Sequence, residues 1–333
     1  MIKAFAALEA KKDLEIFEFE AQPLKPNEVQ IKVESCGICH SDISAIDNSW
    51  GASKFPMVAG HEIIGKVIGI GSEVSLHKVG NRVGLGWHSG YCNSCEHCNL
   101  GDNNFCRSTK KTVYSQHGGF AEEVSADEVS IIPIPEGVKH EDAGPLLCGG
   151  ITVFTPIVEF DINSSHKVGI IGIGGLGHLA IQFCKALGCH VTAFTSSSDK
   201  NDLLTSLGAD EIVSSTDKTS IDTLGAQFDF LISTVNVKLD WNLFLNIIKP
   251  RGRLHFVGAV LDPIAVSVFS LMGGRRSISG SPVGSPKNIT KMLNFCAKHK
   301  ISPLVEHFKF DDINTAIKKL RNNKVRFRAV LTW

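Results

Sequence analysis

The sequence predicts an α/β protein in which a mainly β domain accompanies a doubly wound nucleotide-binding domain built on a parallel six-stranded sheet. Three observations carry this. Up to about residue 135 apolar and polar residues alternate in short runs broken by glycine and proline, the period-two pattern of antiparallel strands. Near residue 167 the texture changes to apolar strand, glycine turn, helix and strand, the way a βαβ unit begins. Strand-like apolar runs then recur with helical stretches between them, enough for six parallel strands.

In the first region Val29-Gln-Ile-Lys-Val-Glu34, Ile63-Ile-Gly-Lys-Val-Ile68 and Arg82-Val-Gly-Leu85 read as strands. The second region opens with the strand Val168-Gly-Ile-Ile171, a helix reaching Leu187 and the strand His190–Thr195. Further strands are expected near Glu211–Ser214, Phe228–Ser233, Arg253–Val257 and Ser277–Gly280, with helices such as Asp199–Leu207 and Asp240–Ile248 between them. The last fifty or so residues return to helix and strand, end in Val325-Arg-Phe-Arg-Ala-Val-Leu331, and are expected to rejoin the first domain. The predicted organisation is one domain of residues 1–148 and 284–333 and a second, carrying the parallel sheet, of residues 149–283.

Charge excludes some functions. The 333 residues carry 34 Lys+Arg against 34 Asp+Glu, so the chain lacks the basic excess that nucleic acid or an anionic membrane surface requires. No apolar run approaches the roughly 18 residues of a membrane span. The opening segment Met1-Ile-Lys-Ala-Phe carries on into acidic residues, unlike a targeting peptide, and a cytoplasmic protein is expected. Ten cysteines then ask for an explanation other than disulfides. Cys92, Cys95, Cys98 and Cys106 are crowded together, whereas Cys36, Cys39, Cys148, Cys184, Cys189 and Cys296 are scattered, and crowding of this kind points to metal.

The turn Gly172-Ile-Gly174-Gly175-Leu176-Gly177 follows an apolar strand and opens a helix. In that context the first glycine permits the tight turn, the second lets backbone approach a pyrophosphate, and the third lets helix pack on strand. Cofactor choice is read at the end of the next strand, Phe194-Thr-Ser196-Ser197-Ser198-Asp199-Lys200. Ser196, Ser197, Ser198 and Lys200 can donate to a 2′-phosphate, whereas an enzyme for the unphosphorylated cofactor places a carboxylate at the strand tip. NADP(H) is therefore expected, with Asp199 late enough to cap the following helix.

The spacing Cys92-x2-Cys95-x2-Cys98-x7-Cys106 offers four thiolates, which satisfy a tetrahedral zinc completely and make the site structural. A nucleic-acid finger would need a basic face, and an iron–sulfur cluster a different spacing. His97, inside the loop, would be a fifth ligand and reads as a solvated residue. A second set begins with Cys39-His40-Ser41-Asp42 after one strand and Gly60-His61-Glu62 at the start of another, so that Cys39 and His61 can meet. Cys148, just before the crossover into the nucleotide domain, is the best placed third ligand, leaving a fourth position for substrate and a metal that faces the cofactor across the cleft between domains. Cys36-Gly-Ile-Cys39 also has the spacing of a redox pair, but such a pair belongs at a helix start in a small βαβ domain, and here it ends a strand. Cys184, Cys189 and Cys296 read as packing residues.

Taken together these residues resemble the zinc-dependent medium-chain alcohol dehydrogenases and, within them, the cinnamyl alcohol dehydrogenase group of NADP-linked aldehyde reductases. The resemblance rests on Cys36-Gly-Ile-Cys-His-Ser-Asp42, Gly60-His-Glu-Ile-Ile-Gly65, the four-cysteine loop, Gly118-Gly-Phe-Ala121, Gly144-Pro-Leu-Leu-Cys-Gly-Gly-Ile-Thr152, Gly172-Ile-Gly-Gly-Leu-Gly-His178 and Val325-Arg-Phe-Arg328, and so covers essentially the whole chain. It implies a GroES-like catalytic domain beside a Rossmann domain, with two zinc ions per chain. The catalytic zinc would be held by Cys39, His61 and Cys148, a ligand set already established for alcohol dehydrogenases, with Glu62 as an occasional substitute. Asp42 would orient the zinc histidine, Ser41 would pass the proton between substrate and solvent, and His40 would lie near the cofactor pyrophosphate. The implied reaction is hydride exchange between NADP(H) and a primary alcohol or aldehyde, in a homodimer joined through the nucleotide domain.

Some positions depart from the family. Ser44 stands where relatives often place a histidine of the proton path, leaving cofactor ribose and water to complete it. The stretch from Cys106 to Gly118 is shorter than in many relatives, and Pro282 replaces an aromatic residue common in plant members. Trp50, Phe55 and Trp87 are candidate pocket walls or domain packing. The expectation is an apolar pocket of broad taste for aromatic or medium-chain aldehydes. An NAD-dependent zinc polyol dehydrogenase would want an acid at the second strand's end, a non-catalytic zinc- and NADP-binding protein would show a broken ligand set, and a zinc-free quinone reductase would lack both cysteine sets.

Overall fold

In the computed structural model, which describes residues 1–333, one unit comprises Met1–Ile151 with Val283–Trp333 and the other Thr152–Pro282. Helix Gly149–Glu159 runs through the first boundary.

The first unit is organised by the eleven-residue strand Glu28–Ile38. It pairs antiparallel with Glu62–Ile70, Glu123–Asp127 and Arg328–Thr332. The sheet continues from Glu62–Ile70 through Arg82–Leu85 to Ile131–Pro133. The alternation in the sequence is the reason: Val29, Ile31, Val33, Ile63, Val67, Val83 and Leu85 all enter one buried cluster, while Lys32 and Lys66 stay in solvent. The closing strand Arg328–Thr332 sets Leu331 opposite Cys36 and Ala329 opposite Ile38, which brings Arg328 alongside the strand end that leads into Cys39. One pair departs from the antiparallel expectation. Val305–Lys309 runs parallel to Arg328–Thr332, which the intervening helix Ile313–Arg321 makes possible as a crossover.

The second unit carries the predicted parallel sheet, in the spatial order Glu211–Ser214, His190–Thr195, Lys167–Ile171, Phe228–Ser233, Ile248–Phe256, Ser277–Gly280. Strand order reverses between Lys167–Ile171 and Phe228–Ser233, the switch point at which such sheets bind ligands beyond the strands' carboxyl ends. Central strands are covered on both faces, so Val168, Ile170 and Ile171 are all fully buried and read as a continuous apolar run. The fifth strand starts earlier than expected. Ile248 already pairs with Phe228, and the register shifts before Phe230 where Pro250 and Arg251, at φ 69°, interrupt the run; the preceding helix is correspondingly short, Trp241–Asn246. The stretch expected as one helix from Asp199 is a 3₁₀ turn, Ser198–Lys200, followed by helix Asn201–Ser206. Asp199 lies inside that turn, and Lys200 holds the helix's N-cap position.

His255 belongs to this sheet. It is buried, with Nδ1 2.9 Å from Ser279 Oγ and Nε2 2.9 Å from Ser281 Oγ, and burial together with the nearby Arg253 charge depresses it to about 4 from an ordinary 6.5. Between those values the unfolded chain binds the proton and the folded chain does not, so stability falls as pH drops from about 6.5 and levels off below about 4. Urea unfolding midpoints measured across this window should decline, and His255→Asn, which cannot take the proton, should flatten that part of the slope.

Candidate zinc and cofactor sites

Cys39 sits in extended conformation at the N-cap of helix His40–Ile46, and Asp42 occupies the helix's first turn. The Asp42 carboxylate is fully buried and accepts three hydrogen bonds: from Cys39 N–H at 2.9 Å, from Gly60 N–H at 2.9 Å and from His61 Nδ1 at 2.8 Å. A buried carboxylate with three donors is well satisfied, and it settles the imidazole. With Nδ1–H donating to Asp42, the lone pair stands on Nε2. That atom lies 3.2 Å from Cys148 Sγ, which is 3.8 Å from Cys39 Sγ. Ligand atoms of Cys39, His61, Glu62 and Cys148 all fall within 4.8 Å of one another, and all four residues are buried.

Electrostatics make this a cradle for a cation. The Cys148 thiol donates to Cys39, and that bond holds Cys39 well below and Cys148 well above the ordinary thiol range. Burial opposes charge on His61, but the Asp42 carboxylate and then Cys39 outweigh it and raise the imidazole well above its usual value, so these same negative groups favour a positive charge at Nε2, where a metal ion would take the place of the second proton. Two sulfurs and an aimed nitrogen in a dry pocket are a donor set suited to zinc. Glu62 is pushed up by burial and held back by the charge of Arg328, whose Nη2 donates to Glu62 Oε1. The other carboxylate oxygen, Oε2, is buried without a hydrogen-bond partner and is the one free to turn to a metal. Arg328 escaped the sequence reading except as part of a closing motif. A lone arginine in the apolar run Arg328-Ala-Val-Leu is the signal that a buried partner was needed.

Around this point lies an aromatic wall. The Trp87 ring stands edge-on to His61 at 4.8 Å between centroids, and Trp50 and Tyr114 each meet Trp87 edge-on at 6.2 Å. Tyr114 was also missed by sequence reasoning. Phe55 is half-buried against the first unit's core. Ser41 and Ser44 are half-buried on helix His40–Ile46, and His40 at its start is exposed. Cys36 stays outside the cluster: it is buried in strand Glu28–Ile38, its thiol donating to the Gly37 carbonyl.

Cys92, Cys95, Cys98 and Cys106 form the other group, again with all ligand atoms within 4.8 Å. Backbone N–H groups of Ser94 and Cys95 hold Cys92 down to about 6, so it is a thiolate near neutral pH. His97 lies on the short helix Glu96–Leu100 with its ring edge-on to Phe105, outside the group of four.

In the second unit the three glycines differ in surroundings as the motif requires. Gly172 has φ 86°, and a Cβ there would stand 2.3 Å from Val235 Cγ1. A Cβ on Gly177 would stand 2.2 Å from the Gly172 carbonyl oxygen, which is how closely helix Gly177–Ala186 lies on its strand. Gly174 is open, with nothing within 4 Å, and leaves the turn's backbone approachable beside Gly175 and Leu176. Strands Lys167–Ile171 and His190–Thr195 are paired with Ile171 opposite Phe194, so this turn and the segment Ser196, Ser197, Ser198 and Lys200 share the carboxyl edge of the sheet. No acidic side chain stands at the strand tip, Thr195-Ser196-Ser197.

Comparison with known proteins agrees with this geometry. The alcohol dehydrogenase GroES-like domain matches residues 25–136 and the zinc-binding dehydrogenase domain residues 175–298. Aldehyde reductase AdhA of Synechocystis sp. is 50% identical over 332 residues, covering 100% of this chain and 99% of that protein. Among solved structures, a cinnamyl alcohol dehydrogenase of Sorghum bicolor, SbCAD4, superposes with a TM-score of 0.95 at 33% identity, covering 99% of this chain and 97% of that one. CAD from Helicobacter pylori, complexed with NADP(H), superposes with a TM-score of 0.92 at 30% identity over 99% and 97% of the two chains. The chain therefore belongs to the zinc-dependent medium-chain alcohol dehydrogenases, oxidoreductases of alcohol and aldehyde groups, with a GroES-like and a Rossmann domain. Within that family it falls with the cinnamyl alcohol dehydrogenases and aldehyde reductases.

Two substitutions test the metal sites separately. Asp42→Ala should weaken zinc binding at the buried site about 10- to 100-fold, the usual cost of losing a carboxylate that orients a ligating histidine, while leaving the four-cysteine site loaded. Zinc retained per chain during titration with a chelator reads both. Cys106→Ser should release the other zinc and lower the Tm without altering the buried site's affinity.

Proposed function

We propose that the protein reduces medium-sized aromatic or aliphatic aldehydes with NADPH, and oxidises the corresponding primary alcohols, using a catalytic zinc held by Cys39, His61 and Cys148. The observation that carries this reading is the convergence of those three side chains on one buried point, with the imidazole turned toward it by Asp42. When bound, zinc supplies Lewis acidity toward the substrate oxygen and the nicotinamide supplies or takes the hydride. The chain's own residues do the rest. Asp42 fixes the tautomer of His61; the aromatic wall of Trp87, Trp50 and Tyr114 excludes water and favours apolar substrate bodies; and Ser41 moves a proton between substrate oxygen and solvent. Glu62 is held by Arg328 within reach of the metal as a substitute ligand. Cys92, Cys95, Cys98 and Cys106 hold the second zinc, which is structural.

The preference for NADPH follows from the hydroxyls of Ser196, Ser197 and Ser198 and the ammonium of Lys200 at the strand tip that begins beyond Thr195. A homodimer is supported by the second unit's open edge. Strand Ser277–Gly280 ends the parallel sheet, and Leu261, Val268, Phe269 and Met272 in the segment before it are exposed, a combination that a second copy would cover. No helix is long and apolar enough to cross a membrane. The cytoplasm, where thiol ligands stay reduced, suits the two zinc sites.

With benzaldehyde or cinnamaldehyde as substrate, NADPH should be oxidised at least about 10-fold more efficiently than NADH, corresponding to roughly 1.4 kcal/mol of discrimination. Equal use of the two would remove the assignment of Ser196 to Lys200. Lys200→Ala should raise the KM for NADPH about 10-fold, the loss of one charged hydrogen bond, with NADH kinetics unchanged. Ser41→Ala should lower kcat by about 100-fold with zinc content intact, as expected on losing a proton relay; an unchanged kcat would assign the relay elsewhere.

A further inference from the structure

Two buried thiols outside both metal sites are neighbours because of how one helix ends. Helix Gly177–Ala186 closes through Leu187 and Gly188, the latter at φ 84°. Gly188 N–H donates to the Lys185 carbonyl at 2.9 Å and Cys189 N–H to the Cys184 carbonyl at 3.0 Å. This is the paired 5→2 and 6→1 bonding of a Schellman ending, in which the side chains flanking the motif are brought together and an apolar contact usually fills the gap. Here both flanking residues are cysteines. They are 0% and 2% exposed, and the Cys189 thiol donates to the Asn163 carbonyl oxygen at 3.1 Å. Side chains at these two positions of such an ending meet, so a covalent bond would join neighbours.

We propose that Cys184 and Cys189 form a dithiol site which a hydroperoxide closes to a disulfide, stapling the end of helix Gly177–Ala186 to the start of strand His190–Thr195. The neighbouring Cys184 holds Cys189 below the ordinary thiol range, while Cys189 and burial hold Cys184 above it, and Cys189, beyond the turn, is the attacking sulfur. Its thiolate attacks one oxygen of hydrogen peroxide; the O–O bond breaks, a sulfenic acid forms, and the departing hydroxide takes a proton to leave as water. The Cys184 sulfur then attacks the sulfenic sulfur. The S–S bond forms, the S–O bond breaks, and the hydroxyl leaves with the Cys184 proton as a second water. Two thiols are oxidised by two electrons and one peroxide is reduced, and a small dithiol reverses the change. Access comes from the helix end, whose last turn opens more readily than the sheet beneath it. The glycine turn lies at the opposite end of the same helix, so the staple leaves the proposed cofactor turn in place.

The zinc-loaded protein, freed of reductant and treated with increasing hydrogen peroxide, is alkylated, digested and mapped, with zinc content measured in parallel. The expected product is a Cys184–Cys189 cross-link that forms before zinc is lost, disappears with dithiothreitol, and is absent in Cys184→Ala and Cys189→Ala. Both variants should keep basal activity. Oxidised protein should also bind NADPH as tightly as reduced protein and unfold at a higher Tm. Oxidation that stops at the sulfenic or sulfinic acid of Cys189, or that reaches only the zinc thiols and releases metal, would overturn the proposal. Wild-type mapping decides this even if a variant fails to fold, and it does not depend on the catalytic reading.

Discussion

The buried carboxylate of Asp42 is the constraint on which the first unit's chemistry depends. Its three donors come from two places distant in sequence, the start of helix His40–Ile46 and the strand entry at Gly60-His61. One side chain therefore ties a helix N-terminus, a strand terminus and an imidazole tautomer into a single geometry. A negative charge at a helix start is favourable in itself, and here it also bears on the metal through His61. The cost of burying a carboxylate is met by hydrogen bonds that already have to be made, since the N–H groups of Cys39 and Gly60 would otherwise lack partners.

In the second unit the corresponding constraint is steric. Helix Gly177–Ala186 approaches its strand so closely that Gly177 leaves no room for a side chain beside the Gly172 carbonyl, while Gly174 faces open space. Close packing at one glycine and openness at another are two consequences of a single turn. The same helix ends in the Gly188 turn that sets Cys184 beside Cys189. Backbone geometry at both ends of one helix thus governs what its flanking side chains meet.

Much of this was legible in the sequence for identifiable reasons. A strand buried on one face must alternate, which exposed Val29–Glu34 and Ile63–Ile68, and a strand buried on both faces must be apolar throughout, which exposed Val168–Ile171. The four-cysteine loop is local, so spacing alone displays it. What stayed hidden depends on long-range partners or on small backbone irregularities. Arg328 and Glu62 are 266 positions apart, and nothing in the neighbourhood of either names the other. The early start of strand Ile248–Phe256 hangs on an irregular register beside Pro250, and the parallel pairing of Val305–Lys309 on a crossover only the tertiary fold defines. Cys184 and Cys189 looked like packing residues because only the Gly188 turn reveals that they are neighbours.

The Glu62–Arg328 pair raises a question of energetics. A buried ion pair is often no more stable than apolar residues of the same volume, because the desolvation cost is only partly recovered by attraction. Stability alone therefore does not account for a charged pair at this position. Its placement does: Glu62 has one oxygen on Arg328 and the other unpartnered, within the same small space as Cys39, His61 and Cys148. Counting charges, two thiolates balance a dication, Asp42 faces the imidazole, and Glu62 is balanced by Arg328. Removing Arg328 would leave an unbalanced carboxylate beside two sulfurs and raise the negative charge of the whole pocket. The arginine contributed by the last strand of the chain thus lets a fourth potential ligand stand close to the metal position without forcing it to bind.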